Sequence, residues 1–469
     1  MKRQLRDADI GMKMKWEKLL SKKRLYSMGE EGNRSPFQRD FDRIAFSSAF
    51  RRLQDKAQVF PLAESDYVRT RLTHSIEASC VARSLGLIVG KKIIKRYKLN
   101  NYSPSDFGAI VAAASLAHDI GNPPLGHSGE DAVQHWFRKP GKRFIKDFTE
   151  ADRKDFVDFE GNAQGFRVLT RLQRPFKKGG MQLTCATLAA FTKYPRQSYL
   201  GEKDLDEKEQ KILKGISFRK FGFFQSERPI FFNVAKEVGL ISAIDKKAWY
   251  RHPLAFLVEA ADDICYTIVD FEDGVRLGHI KYKKAENLLL KIIPKSNLKK
   301  FKKELKNTHG EKEKIECLRS KVINELINQV TKHFIDNEGK ILAGKFNEEL
   351  MKKIDAGPIV SKILDLSKKD IYTADGVVEI EAAGYEVIAG LLQTFIVAVS
   401  DLAVNKKKAS KKSNKILQLI PEQFLKSKGE VDDDPYLRII KVTDYVSGMT
   451  DSFAVSTYKK IKGISLPQS

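Results

Sequence analysis

Most of the chain's apolar positions recur with helical spacing, and few stretches alternate as strands do. Between 73 and 97 ("THSIEASCVARSLGLIVGKKIIKRY") the pattern is amphipathic and the last turn is basic, which predicts a helix that suits its own dipole. At 103–106, "SPSD" offers a serine N-cap, a proline at the first helical position and an acid at the third. The small and apolar "FGAIVAAASLAHDI" follows, so a second helix is predicted there. A third is predicted over 252–274 ("HPLAFLVEAADDICYTIVDFEDG"), opening near Pro253 and closing at Gly274. The most apolar run, "VIAGLLQTFIVAV" (387–399), is interrupted by Gln393 and falls short of the roughly 20 residues that span a bilayer. It reads as a buried helix. Only "IYTADGVVEI" (371–380) alternates well enough to suggest a hairpin, turning at Asp375-Gly376. The expectation is an all-α fold with at most one short β-hairpin.

Composition then sets the organisation. At 469 residues the chain exceeds one small core, and past about 290 it turns lysine-rich. We therefore expect a core over 1–290, with inserted excursions at about 140–250. Residues 291–469 would form a helical region that completes the fold and supplies oligomer contacts. The first twenty residues are charged throughout, unlike a signal peptide, and a cytoplasmic location with no membrane partner is expected. Four cysteines without a CxxC pair point to neither a zinc ribbon nor a dithiol redox site. A formal charge of +24 makes polyanions the expected partners: nucleotides, nucleic acid or acidic surfaces. The lysine runs at 295–307 and 405–415 read as solvated faces, and the second lacks the aromatics that stack on bases.

The candidate chemistry sits on the three predicted helices. His74 opens the first, His118 and Asp119 end the second, and the third carries Glu259, Asp262, Asp263, Tyr266 and Asp270 in apolar surroundings. Acids on a core-facing helix are costly unless paired or bound to a cation. Asp262, Tyr266 and Asp270 are spaced i, i+4, i+8 and share one side of their helix. Converging helices would bring two imidazoles and two carboxylates to one point, a set suited to Mn, Fe, Mg or Zn. Core histidines bonded to neighbouring acids satisfy the same spacing. After the His-Asp pair, "GNPPLGHSGED" cannot continue a helix, and as a loop it lets His127 fold back with Glu130 three residues on. A carboxylate-held histidine beside a metal is a minimal acid–base pair for hydrolysis. A turn or N-cap residue ahead of the next helix is the other reading of His127.

"RTRLTHSIE", "SLAHDIGNPPLGHSGEDAV" and "EAADDICYTIVDFEDG" resemble the HD superfamily of metal-dependent phosphohydrolases. More narrowly, they resemble its deoxynucleoside triphosphate triphosphohydrolase branch, the bacterial dGTPases. Further similar stretches are "SPFQRDFDRIAFSSAFRRLQDKAQVFPL" (35–62), "FEGNAQGFRVLTRLQ" (159–173), "KFGFFQSE" (220–227) and "DYVSGMTDSFA" (444–454). The resemblance implies His74, His118, Asp119 and Asp262 as metal ligands and His127 with Glu130 as catalytic residues. It implies substrate contacts from Gln54, Arg71, Asn122, Lys220, Tyr266 and Asp270, with Tyr266 packed on the sugar where a 2′-hydroxyl would sit.

The implied reaction releases a deoxynucleoside and inorganic tripolyphosphate from dGTP or other dNTPs. It proceeds by metal-activated water attack on the α-phosphate, with His127 as the general acid. Mn²⁺ or Mg²⁺ is the implied cofactor, with Fe and Zn as alternatives. A homo-oligomer, hexamer or tetramer, is implied as well, together with an allosteric dNTP. Single-stranded DNA is a further partner that the charge suggests. Two alternatives remain open at this point: an HD-type nucleotidase or phosphodiesterase, and a nucleotide-sensing protein that binds nucleic acid.

Overall fold

The computed structural model describes residues 13–26, 33–58, 69–175, 177–201, 205–371 and 375–465. Helix α1 (Arg71–Tyr97) starts at Thr70, whose Oγ1 accepts the Thr73 amide while Thr73 Oγ1 accepts the Thr70 amide. Each such reciprocal cap is worth about 1 kcal/mol. Helix α2 (Pro104–Leu116) starts with the predicted Ser103–Asp106 box and Pro104 at its first position. The two pack closely because small residues face each other: a Cβ at Gly86 would lie 2.7 Å from the Phe107 carbonyl oxygen. Helix α3 (Gly126–Arg138) follows the Gly-Asn-Pro-Pro turn; beyond a short helix at Glu150–Val157 lie α4 (Gly161–Arg167) and α5 (Cys185–Phe191).

Strands β1 (Ser242–Ile244) and β2 (Ala248–Trp249) pair antiparallel, Ser242 against Trp249 and Ile244 against Ala248. Helix α6 (Pro253–Arg276) then crosses α1 and α2, bringing the third predicted segment against the first two. His252 caps it: Nδ1 accepts the Leu254 amide at 3.1 Å and Nε2 lies 3.0 Å from the Leu19 carbonyl. Burial holds this imidazole neutral, pulling its pKa down to about 4. Helix α7 (Glu311–Leu342) and helix α8 (Gly357–Asp370) cover the far side of α6. Helix α9 (Asp375–Asn405), α10 (Pro435–Ser447) and α11 (Asp451–Lys462) complete the chain.

Among the described residues two large apolar clusters organise the interior, beside a small third one around Phe218, Ile244 and Ala248 at the hairpin. The larger draws on α1, α2, α5, α6, α7 and α8; the second joins α3 to α9, α10 and α11 through Trp136, Phe137, Phe156 and Phe395. The turn between α2 and α3, which holds the His-Asp motif, runs from the first cluster to the second.

The fold is predominantly helical with one small hairpin, but the hairpin is not at 371–380. Residues 375–380 are the opening turns of α9, and 372–374 lie outside the described residues. The ten-residue window alternates by coincidence; the helical period set by Val387, Ile388, Leu391, Leu392, Phe395 and Ile396 extends back through it. Those side chains are buried, as predicted for 387–399, although the helix is longer than that run. Among the described residues, Ala382–Lys408 is long and apolar enough to cross a membrane, and 44% of that window is buried inside the protein. The third predicted helix also runs past its expected end: Gly274 lies inside α6, beneath Ile371 of the segment that follows α8.

Candidate metal centre and catalytic cleft

His74 lies in the first turn of α1 and is fully buried. His118 and Asp119 occupy the turn just beyond α2, and Asp262 lies midway along α6. Helix crossing brings these distant positions together: the ligand atoms of His74, His118 and Asp262 all lie within 4.8 Å of one another. His74 Nε2 is 3.1 Å from Asp262 Oδ1, His118 Nε2 is 3.4 Å from the same oxygen, and the two rings meet edge to face at 5.3 Å.

The donor set fits a divalent cation. His118 Nδ1 donates to the Ser115 carbonyl at 2.7 Å, which fixes the tautomer and leaves a lone pair on Nε2. That lone pair faces Asp262 Oδ1 and, at 3.5 Å, Asp119 Oδ2. Acceptors turned on acceptors at this range call for a shared cation. With only protons to supply it, burial pulls the His118 pKa down, but the two carboxylates outweigh burial and raise it to about 9. Asp262 is held well below the usual carboxylate range, since the two imidazoles overcome its burial. Two imidazole nitrogens and a carboxylate make a mixed nitrogen and oxygen donor set for a divalent ion.

Asp119 stands beside this trio, with both carboxylate oxygens engaged. Oδ2 accepts Arg71 Nη1 at 2.8 Å and Oδ1 accepts Asn122 Nδ2 at 2.6 Å. Its burial is outweighed by Arg71, His118 and His74, so its pKa falls to about 2. The Arg71 guanidinium lies against Gly126, where an added Cβ would come within 2.7 Å of Nη2.

His127 is not in a loop. Leu125 (φ 63°) and Gly126 (φ 60°) turn the chain through left-handed conformations, and α3 starts at once, so His127 and Glu130 share its first turn. The prolines stop one helix without preventing the next from forming directly after the turn. His127 Nδ1 lies 3.2 Å from Glu130 Oε2, and Glu130 Oε1 accepts the Gly161 amide at the start of α4. The imidazole is 83% exposed, and the hydrogen bond to Glu130 is the main cause that raises its pKa.

His118, Asp119, Asp262, His127 and Glu130 line one cleft of about 590 Å³, while His74 is buried and does not line it. Asn122, Arg71, Lys220 and Tyr266 also line it. Lys220 is 40% exposed; its Nζ lies 3.0 Å from Glu160 and 3.8 Å from Glu130, and the two acids outweigh partial burial to raise its pKa. Asp270 is buried one turn beyond Tyr266 and does not line the cleft. Gln54 is exposed on the short turn Leu53–Asp55, away from the cleft; the glutamine that lines it is Gln58, whose Oε1 is buried with no partner among the described residues.

Sequence reasoning missed Gln58, Asn162, Lys193 and Tyr194, all of which line the cleft. Lys193 Nζ lies 3.2 Å from Glu259, which also accepts Arg251 Nη1 at 2.7 Å. Burial disfavours the Lys193 charge, but Glu259 more than compensates. The signal available was a Lys-Tyr-Pro breaking off an apolar run at Phe191. Asp263 also faces the cleft, its pKa pushed well above normal by burial and by neighbouring Glu259 and Asp262 despite Lys193.

A family model, the HD domain, matches residues 71–186, the span from the first residue of α1 into α5 that carries His74, His118, Asp119, His127 and Glu130. Fold and site together define an HD-domain phosphohydrolase acting on nucleotides, built around a His/His/Asp cluster able to coordinate a divalent metal ion. The chain is 44% identical over 462 residues to a deoxyguanosinetriphosphate triphosphohydrolase-like protein of Synechocystis, covering 97% of this chain and 100% of that protein. It is 38% identical over 466 residues to one of Pseudomonas aeruginosa, covering 97% and 100%. To the deoxyguanosinetriphosphate triphosphohydrolase of Salmonella paratyphi A it is 30% identical over 494 residues, covering 91% and 94%. The chain belongs to the HD-superfamily deoxynucleoside triphosphate triphosphohydrolase-like family, and it is an enzyme.

Proposed function

We propose that this enzyme hydrolyses deoxynucleoside triphosphates, dGTP among them, to the deoxynucleoside and inorganic tripolyphosphate. The observation that carries this reading is one cleft lined by His118 and Asp262 of the metal cluster, by the His127–Glu130 pair and by the cations Arg71, Lys193 and Lys220. Three phosphates need such a spread of positive charge. His74, His118 and Asp262, with Asp119 beside them, would hold Mn²⁺ or Mg²⁺. A divalent ion bound there supplies Lewis-acid polarisation of a phosphoryl oxygen and a water of lowered pKa.

The chain's own groups account for the rest. Glu130 engages His127 Nδ1 and raises its pKa, which favours the protonated imidazole and leaves Nε2 to donate. As water oxygen bonds to the α-phosphorus and the bond to the 5′-oxygen breaks, that proton passes to the leaving oxygen and the attacking water gives up one proton to solvent. Arg71 fixes Asp119 and shares its charge with the nearest phosphate; Lys193 and Lys220 serve the outer ones. Tyr266, one helical turn from Asp262, presents a ring held by α6 to the sugar, which a 2′-hydroxyl would crowd. The enzyme would act in the cytoplasm as a homo-oligomer.

The test is turnover of each dNTP and its ribonucleotide with Mn²⁺, products resolved by anion exchange. Tripolyphosphate from dNTPs alone is expected. Pyrophosphate with a nucleoside monophosphate would overturn the reading and favour an HD phosphodiesterase.

A further inference from the structure

The stretch 444–454, "DYVSGMTDSFA", lies across the junction of α10 and α11, and none of its side chains lines the cleft. Its contacts nevertheless converge on the turn that carries the site. Asp451 is 2% exposed; Oδ1 accepts the Leu125 amide at 2.8 Å and Oδ2 accepts the Ala57 amide at 2.9 Å. Leu125 is the left-handed residue two before His127. At the other end of the same turn, the buried Lys56 Nζ donates to the Asn122 carbonyl and, at 3.2 Å, to the Ser447 carbonyl. The Lys56 carbonyl in turn accepts the Arg71 amide at 2.9 Å. Asp444 binds the Arg167 guanidinium through both oxygens and Gln164 through one, which anchors α4, the helix whose first amide holds Glu130.

We infer that Asp451 and Lys56 are positioning residues, a clamp through which the α10–α11 junction fixes both ends of the catalytic turn. Asn122 is then held where it bonds Asp119, and Leu125 where it delivers His127 onto α3. Buried charge-assisted bonds to backbone amides are strong and directional. Asparagine in place of Asp451 would keep one acceptor and set an NH₂ against the other amide, leaving a buried donor unsatisfied. The inference rests on the triphosphohydrolase reading for its kinetic arm only.

The test compares wild type, Asp451→Asn and Thr450→Ala, the last removing only the α11 cap formed with the Phe453 amide. For D451N, kcat on dNTPs should fall by about 10- to 100-fold, the range that a misplacement of about 1 Å can produce, with KM within about twofold. Hydrogen exchange at the Leu125 and Ala57 amides, both held by Asp451, should quicken by about tenfold or more, while Mn²⁺ affinity, set by His74, His118 and Asp262, stays within about threefold. T450A should show none of these changes. Unchanged kcat and exchange in D451N, or equal losses in T450A, would overturn the clamp. Lys56→Met carries the same comparison at the Asn122 end should D451N not fold. The exchange and Mn²⁺ arms decide the question even where dNTPs prove not to be substrates.

Discussion

Replacing Gly126 with alanine should damage the site through two separable effects. Gly126 has φ +60°, where an L side chain costs about 1–2 kcal/mol. Its new Cβ would also lie 2.7 Å from Arg71 Nη2. Carbon and nitrogen in ordinary contact sit about 3.5 Å apart, so the guanidinium must retreat by about 0.8 Å. That retreat pulls against the 2.8 Å bond to Asp119. Displacements of this size at a reacting centre cost about 100-fold in rate. Gly278 supplies the control, because it has φ +82° and an added Cβ there would meet nothing within 4 Å. Both variants should lose about 1–2 kcal/mol in denaturant titrations, from backbone strain alone. Only G126A should lose kcat/KM by about 100-fold in an anion-exchange assay of tripolyphosphate release. Equal kinetics in the two variants would refute the packing of Arg71 on Gly126 as a determinant of the site.

Two further outcomes follow from the geometry. His118→Ala should leave the helical circular dichroism intact and weaken Mn²⁺ binding by at least about 100-fold in calorimetry, since a direct ligand should matter more than an outer-shell partner worth about 10–100-fold. Retention of wild-type affinity would exclude His118 from the donor set. Glu130→Gln concerns the proton. Glu130 raises the His127 pKa, so the acid form persists to higher pH than it would without that partner and is lost as pH rises through the raised value. E130Q should therefore move the alkaline limb of kcat/KM to lower pH, and an unmoved or higher limb would remove Glu130 as the partner of His127.

How much of the fold and the site is legible in the sequence depends on whether a signal is local. The starts of α1, α2 and α6 are written in Thr70, Ser103-Pro104 and Pro253, because caps act within one turn. The metal trio is visible as residue types on three helices, while their convergence is a product of tertiary packing. His127 is legible with its partner Glu130, yet the pattern points to a loop, since two prolines end a helix without forbidding another from starting at Gly126. Gln54 and Gln58 are four apart in "RRLQDKAQ", and only the short turn at Leu53–Asp55 with the burial of Lys56 decides which of them reaches the cleft. The Lys193–Glu259 and Lys220–Glu160 pairs join residues 66 and 60 positions apart (259 − 193; 220 − 160), beyond the reach of any period. The false hairpin at 371–380 has a related origin, a window too short to reveal that α9 continues for about seven turns beyond it.

Because α2 stops at Leu116, the Ser115 carbonyl accepts the His118 backbone amide at 3.2 Å and is left open on the side from which His118 Nδ1 donates. In a longer helix that oxygen would take the amide of Asp119, and nothing would choose between the two tautomers of the imidazole. Engineers who seek a sturdier protein by trading the Gly-Asn-Pro-Pro break for good helix formers would thus be rewriting the coordination chemistry. Thermal tolerance gained there should come with a weaker grip on the ion.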